Sequence, residues 1–135
     1  KDQDILFINL HAPHNEKIED VLRHVLKETQ FKFLPNGHIP SKITIGGDFN
    51  ADLDENNIVI RFTTMAPGGT GKNFTVKLSK TKSHATCCET ENKKYRYNYD
   101  HIFTTQVIRD DHVHPNGNLD HSDHLPVYAQ IELHD

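Results

Sequence analysis

The chain opens on a continuous apolar run, Ile5-Leu6-Phe7-Ile8, followed by Asn9-Leu10-His11. A short run rich in branched and aromatic side chains suits a strand buried on both faces. Pro13 has no N–H to give to a ladder and ends the strand. Beyond it, Ile18, Val21, Leu22, Val25 and Leu26 recur at three- and four-residue steps, the stripe of an amphipathic helix lying on a sheet. Asn15 is placed to cap that helix, and Glu16 and Glu19 fall where its dipole favours anions. The pattern stops near Gln30, ahead of the turn signal Pro35-Asn36-Gly37. Lys42-Ile43-Thr44-Ile45 reads as a second buried strand, broken by Gly46-Gly47. Strand, helix, strand in this order predicts a parallel crossover unit.

The middle of the chain is less regular. Asp52 to Asn57 is polar and loop-like, and Ile58 to Phe62 fits either a strand or a short helix. Met65 to Lys72 is glycine-rich and predicts a mobile surface loop. Phe74 to Leu78 and Ile102 to Val107 read as strands, His112 to His121 as a polar loop. Val127 to Leu133 closes the chain with clear period-two alternation.

Composition narrows the classes. The chain has 135 residues, 35% hydrophobic and 25% charged, which suits one domain or part of one. No window comes near the roughly 18 apolar residues of a membrane span. Against 15 Lys and Arg stand 19 Asp and Glu, a net charge of −4. That balance disfavours a protein that coats nucleic acid with a basic face. It leaves room for an enzyme that meets phosphodiesters through a metal ion, because the ion supplies the positive charge. Cys87 and Cys88 are adjacent, and neighbours on an extended chain point to opposite faces, so no structural disulfide is expected between them. The cysteine usage leans towards a reducing, cytoplasmic compartment. The start at Lys1, a few residues before a strand-like run, reads as a cut from the interior of something longer.

Polar residues gather where the apolar elements begin and end. The first strand runs into Asn9 and His11 and the second into Asp48-Phe49-Asn50; Asp100-His101 opens another, and Ser122-Asp123-His124 lies just ahead of the last. Such clusters, held at one sheet edge by a rigid scaffold, would make a site for phosphoryl chemistry. Carboxylates and an amide suit a hard cation such as magnesium, and histidines suit proton transfer near neutral pH.

The strings Ile8-Asn9-Leu10-His11-Ala12-Pro13, Gly47-Asp48-Phe49-Asn50-Ala51, Tyr99-Asp100-His101-Ile102 and Ser122-Asp123-His124-Leu125-Pro126-Val127 resemble the last four motifs of the endonuclease/exonuclease/phosphatase superfamily, the group typified by deoxyribonuclease I. They come in the family's order. The resemblance implies an α/β (α+β) fold in which residues 1–135 form the C-terminal half of a β-sandwich domain, one mixed sheet covered on one face by helices. Domains of that family are about twice this length. Their asparagine motif and metal-binding glutamate belong to the half that has no counterpart here. The inner face of the sheet would then lack its cover, so an isolated copy is expected to self-associate.

The resemblance also implies roles. Asp48 and Asn50 would orient or deprotonate the attacking water and hold it against phosphate. His124 would act as general base or bind the phosphate, with Asp100 orienting it as a carboxylate does in hydrolase triads. Asp123, with Asp48, would bind or position Mg2+ or Mn2+. His11 would hydrogen-bond the scissile phosphate. Relatives with these motifs cleave DNA, RNA, inositol phosphates and sphingomyelin. The substrate expected is therefore a phosphate ester, nucleic acid among the candidates, with little turnover from this portion alone.

Lys93, Lys94 and Arg96 interleave with Tyr95, Tyr97 and Tyr99 in a stripe that could stack bases and grip phosphates, which makes Arg96 and Tyr97 candidate substrate contacts. An ordinary alternating strand produces the same pattern. His112, His114 and His121 with Asp110, Asp111 and Asp120 fit no zinc-binding spacing and read as a solvated loop. Gly68, Gly69, Gly71 and Lys72 fail the phosphate-loop spacing. A second class of function stays open: a non-catalytic protein-binding or assembly module on the same half-fold.

Overall fold

Strand β1 (Ile5–His11) and strand β2 (Lys42–Asp48) pair in parallel, from Ile5 opposite Lys42 to His11 opposite Asp48. A parallel pair needs a crossover, and helix α1 (Ile18–Phe33) supplies it. The computed structural model describes residues 4–33, 38–65, 71–89, 95–113 and 123–133. Within them follow β3 (Asn57–Met65), β4 (Gly71–Lys80), β5 (Cys87–Glu89), β6 (Tyr95–Tyr97), β7 (Asp100–Thr104), β8 (Ile108–Val113) and β9 (Val127–Ile131). The main sheet is mixed, in the order β1-β2-β7-β4-β3; β5 pairs with β6 and β8 with β9. The architecture is α+β, mostly sheet, with α1 the single helix among the described residues. No described helix is long and apolar enough to cross a membrane.

The core lies between α1 and one face of the main sheet. Ile18, Leu22 and Leu26 of the helix meet Ile43 and Ile45 of β2, Ile60 and Phe62 of β3, Val76 and Leu78 of β4 and Phe103 of β7. Each such side chain taken from water contributes about 1.5–3 kcal/mol, so this layer anchors the scaffold on which the strand ends are held.

Several expectations are corrected. β1 is not buried on both faces: it is an edge strand, and the helix covers one side only. Leu6, Ile8 and Leu10 pack on the core while Phe7, on the alternate face, is 66% exposed. β2 does not break at its glycines but continues through them to Asp48. Asn15 does not cap the helix. It takes a positive φ of 67°, and the first turn closes instead from Val21 N–H to the Lys17 carbonyl. The helix also runs past Gln30 to Phe33; the Pro35-Asn36-Gly37 signal lies outside the described residues.

Ile58 to Phe62 resolves as strand within β3. Met65 and Gly71, assigned to a loop, are paired strand ends, and residues 66–70 lie outside the described part. β7 ends at Thr104, short of the expected Val107. His112 belongs to β8, a strand the sequence pattern hides, because its inward residue is Asp111. That buried carboxylate accepts the Lys82 N–H and pairs with the Lys82 ammonium at 3.6 Å. A satisfied carboxylate thus stands where an apolar residue would have announced a strand. Cys87 and Cys88 are joined in a vicinal disulfide across a cis peptide bond, against the expectation of no disulfide.

Candidate active site

Strand register builds the site. His11 of β1 stands opposite Asp48 of β2, and Asp48 opposite Asp100 of β7. Paired residues on neighbouring strands share a face, so the three side chains form a row across three strands. The row depends on close approach of β1 and β2. Gly47 has φ 149°, and a Cβ there would run into the backbone of Leu10. Only glycine fits.

Backbone ties hold the row in place. Ala12 N–H donates to the Asp48 carbonyl and Phe49 N–H to the Tyr99 carbonyl, each at 2.8 Å. Phe49 is fully buried, its ring packed edge-on to Phe103 at 5.1 Å. Asn50, with φ 50°, gives its N–H to Asp48 Oδ1 at 2.9 Å and its side-chain amide to the Ala12 carbonyl. The amide expected to hold water and phosphate therefore clasps the two strand ends together.

His124 comes to this row from the segment ahead of β9. Its Nδ1 meets Asp100 Oδ2 at 2.7 Å, and its Nε2 lies 3.6 Å from Asp48 Oδ2. His11 Nε2 approaches the same Asp48 oxygen at 3.5 Å. Asp123 stands at the margin, its side chain 62% exposed and its Oδ1 3.7 Å from His124 Nε2. Thr86 positions the incoming segment: its carbonyl accepts the Leu125 N–H and its hydroxyl accepts the Asp100 N–H. Thr86 is fully buried. Nothing in the sequence around this lone threonine singles it out.

Electrostatics follow from the geometry. Burial disfavours charge on His124, but the hydrogen bond to Asp100 and the carboxylates of Asp100, Asp48 and Asp123 outweigh it. Its pKa is held above the ordinary value of 6.5. His101 behaves oppositely. Strand alternation turns it away from Asp100 into the core, between Phe49 and Phe103, where Nε2 meets the Ala51 carbonyl at 2.9 Å. Burial lowers its pKa, so it is a neutral core residue.

Comparisons with protein-family models, with curated proteins and with solved structures find no match for the chain.

The remaining candidates divide. Ligand atoms of Asp48, Asp100 and His124 lie within 4.8 Å of one another, a donor set of two carboxylates and an imidazole that fits a divalent cation. Asp123 is not in that set. Arg96 and Tyr97 lie exposed on β6, and Tyr97 stacks on Tyr99 at 4.9 Å. Tyr97 does carry the carbonyl that accepts the Thr86 N–H. His112 stacks on Tyr128 at 5.1 Å, whereas His114 and His121, like Lys93 and Lys94, lie outside the described residues.

Proposed function

We propose that residues 1–135 form the C-terminal part of a domain that resembles the endonuclease/exonuclease/phosphatase superfamily and hydrolyses phosphate esters, with slow turnover from this portion alone. The observation that carries this reading is that His11, Asp48, Asp100 and His124, from four separate strings, meet at one sheet edge with Asp48 between two imidazoles. The mixed sheet with one helix-covered face is compatible with half of a two-sheet sandwich.

Asp48 takes a proton from the attacking water, which adds to phosphorus. The ester P–O bond breaks, and the leaving oxygen receives its proton from the His124 imidazolium. Proton transfer from Asp48 to His124, 3.6 Å away, restores both groups. Asp100 fixes the imidazole ring and stabilises its charged form, which the raised pKa of His124 reflects. His11, with its side chain 76% exposed, is open to hydrogen-bond a phosphoryl oxygen. Mg2+ or Mn2+ would be held by the carboxylates of Asp48 and Asp100, beside the His124 ring, and when bound would supply positive charge that favours phosphate binding and the transition state.

The test is a single-turnover assay, protein in excess, on DNA, RNA and a small phosphodiester, with Mg2+ or Mn2+ against chelator. Slow, chelator-sensitive hydrolysis is expected, with Asp48→Ala and His124→Ala each lowering it by about 10²–10⁴-fold. In parallel, Mn2+ should broaden the His124 ring resonances. Hydrolysis that survives both substitutions, or ring signals indifferent to Mn2+, would remove the mechanism.

A further inference from the structure

His124 belongs to two clusters, and the second plays no part in the reaction above. A ring nitrogen of His124, a carboxylate oxygen of Asp123 and the sulfurs of Cys87 and Cys88 all fall within 4.8 Å of one another. As a disulfide the two sulfurs carry no charge and bind metal poorly. Reduced, they become two thiols beside an imidazole and a carboxylate, and a metal that displaces their protons meets two thiolates. We propose that reduction of Cys87–Cys88 creates a four-ligand site for a thiophilic divalent cation, zinc foremost, made by Cys87, Cys88, Asp123 and His124.

The dimensions and chemistry both fit. With Zn–S near 2.3 Å and Zn–N near 2.0 Å, ligand atoms of a tetrahedral site stand roughly 3.3–3.8 Å apart. The ligand atoms already lie within 4.8 Å of one another, and the two sulfurs are free to move apart to that spacing once their bond is broken. The two clusters also select different ions. Asp48, Asp100 and His124 are rich in hard oxygen donors, whereas the cysteine cluster is rich in sulfur. They share His124, so a metal in the sulfur site engages the imidazole that the proposed hydrolysis needs. The site itself stands on these side-chain positions; only its effect on turnover rests on the hydrolase reading.

Reduction requires a dithiol. One of its thiolates attacks the sulfur of Cys88, the more accessible of the pair since Cys87 is 1% exposed. Cys87 leaves as thiolate, and the second thiol of the reagent displaces Cys88 from the mixed disulfide. Two electrons pass to the protein, and the reagent closes into its own disulfide. Zinc then replaces the thiol protons.

The test titrates the protein with Co2+ after treatment with dithiothreitol and anaerobic removal of the reagent. One equivalent should bind with a sulfur-to-cobalt charge-transfer band that untreated protein lacks, and Zn2+ should displace it. Cys87→Ser combined with Cys88→Ser should abolish the band. Asp123→Ala and His124→Ala should each weaken Zn2+ binding at least about tenfold, since loss of an outer-shell partner alone costs about 10–100-fold. Absence of the band in reduced protein overturns the proposal, as does Zn2+ affinity unchanged in both the Asp123 and His124 variants. If the hydrolase reading holds, Zn2+ should inhibit Mg2+-dependent turnover of reduced protein but not of the double serine variant. If no turnover is found in any sample, the cobalt band still decides the site.

Discussion

His124 Nδ1 and Asp100 Oδ2 stand 2.7 Å apart, although the two residues are separated by 24 positions in the chain. Asp100 is itself held opposite Asp48 by strand pairing, so one hydrogen bond ties the segment ahead of β9 to the row of site residues. A charge-assisted bond of this length orients the ring as well as stabilising its charge.

Asp100→Asn removes the charge and keeps the shape. The pKa of His124 should then fall from its raised position towards or below the ordinary 6.5, because burial opposes the imidazolium and Asp48 and Asp123 alone remain to support it. An NMR titration of the ring protons in chelator measures this. A midpoint that does not move would mean that the hydrogen bond contributes nothing to the charge state.

His124 and His101 together should give stability a maximum near neutrality. The folded pKa of His124 lies above its unfolded value of about 6.5, so its contribution is complete below that pH and is lost as pH rises through the folded pKa. The folded pKa of His101 lies below 6.5, chiefly through burial, so its contribution is present above that pH and is lost as pH falls through the folded pKa. Urea unfolding across pH, in chelator, should show both limbs. His124→Asn should flatten the alkaline limb and His101→Gln the acid one.

Adjacent glycines of β2 should respond very differently to alanine. Gly47→Ala forces a Cβ into the Leu10 backbone at φ 149° and should cost more than about 3 kcal/mol, or prevent folding. At Gly46 the new methyl would meet Ile102 Cγ1 at 3.6 Å, an ordinary contact, so Gly46→Ala should stay within about 1 kcal/mol of the parent. Denaturant midpoints compare the two, and equal losses would contradict the close approach of β1 and β2.

At the β8 tie the two partners are unequal. Asp111→Ala strips the Lys82 N–H of its acceptor at a buried position and should cost about 1–3 kcal/mol. Lys82→Ala removes only an ammonium whose side chain is 73% exposed and should cost less than about 1 kcal/mol. Unfolding free energies in urea give both values, and a Lys82 loss larger than the Asp111 loss would reverse the assignment.

The parallel crossover and the helix stripe were legible because periodicity is a local property of the chain: Ile18, Leu22 and Leu26 announce their face wherever the helix packs. The site residues were legible as strand-end clusters for the same reason. Other features were hidden because distant partners decide them. Asp111 looks like loop until Lys82 satisfies it, and Asn15 looks like a cap until its positive φ places the helix start beyond it. His101 sits beside Asp100 in sequence, yet alternation along β7 sends it into the core. The apolar run of β1 reads as doubly buried, but edge position in the sheet is not encoded in a single strand.

The sequence by itself determined which residue types stand at the ends of which elements, since hydrophobic period and turn chemistry act over a few residues. Only the tertiary structure decided that His11, Asp48 and Asp100 share one face and that His124 closes over them. That outcome depends on register between strands far apart in the chain. A slip of one residue would turn each side chain to the opposite face, and the pairing that prevents it is set by β1, β2 and β7 together.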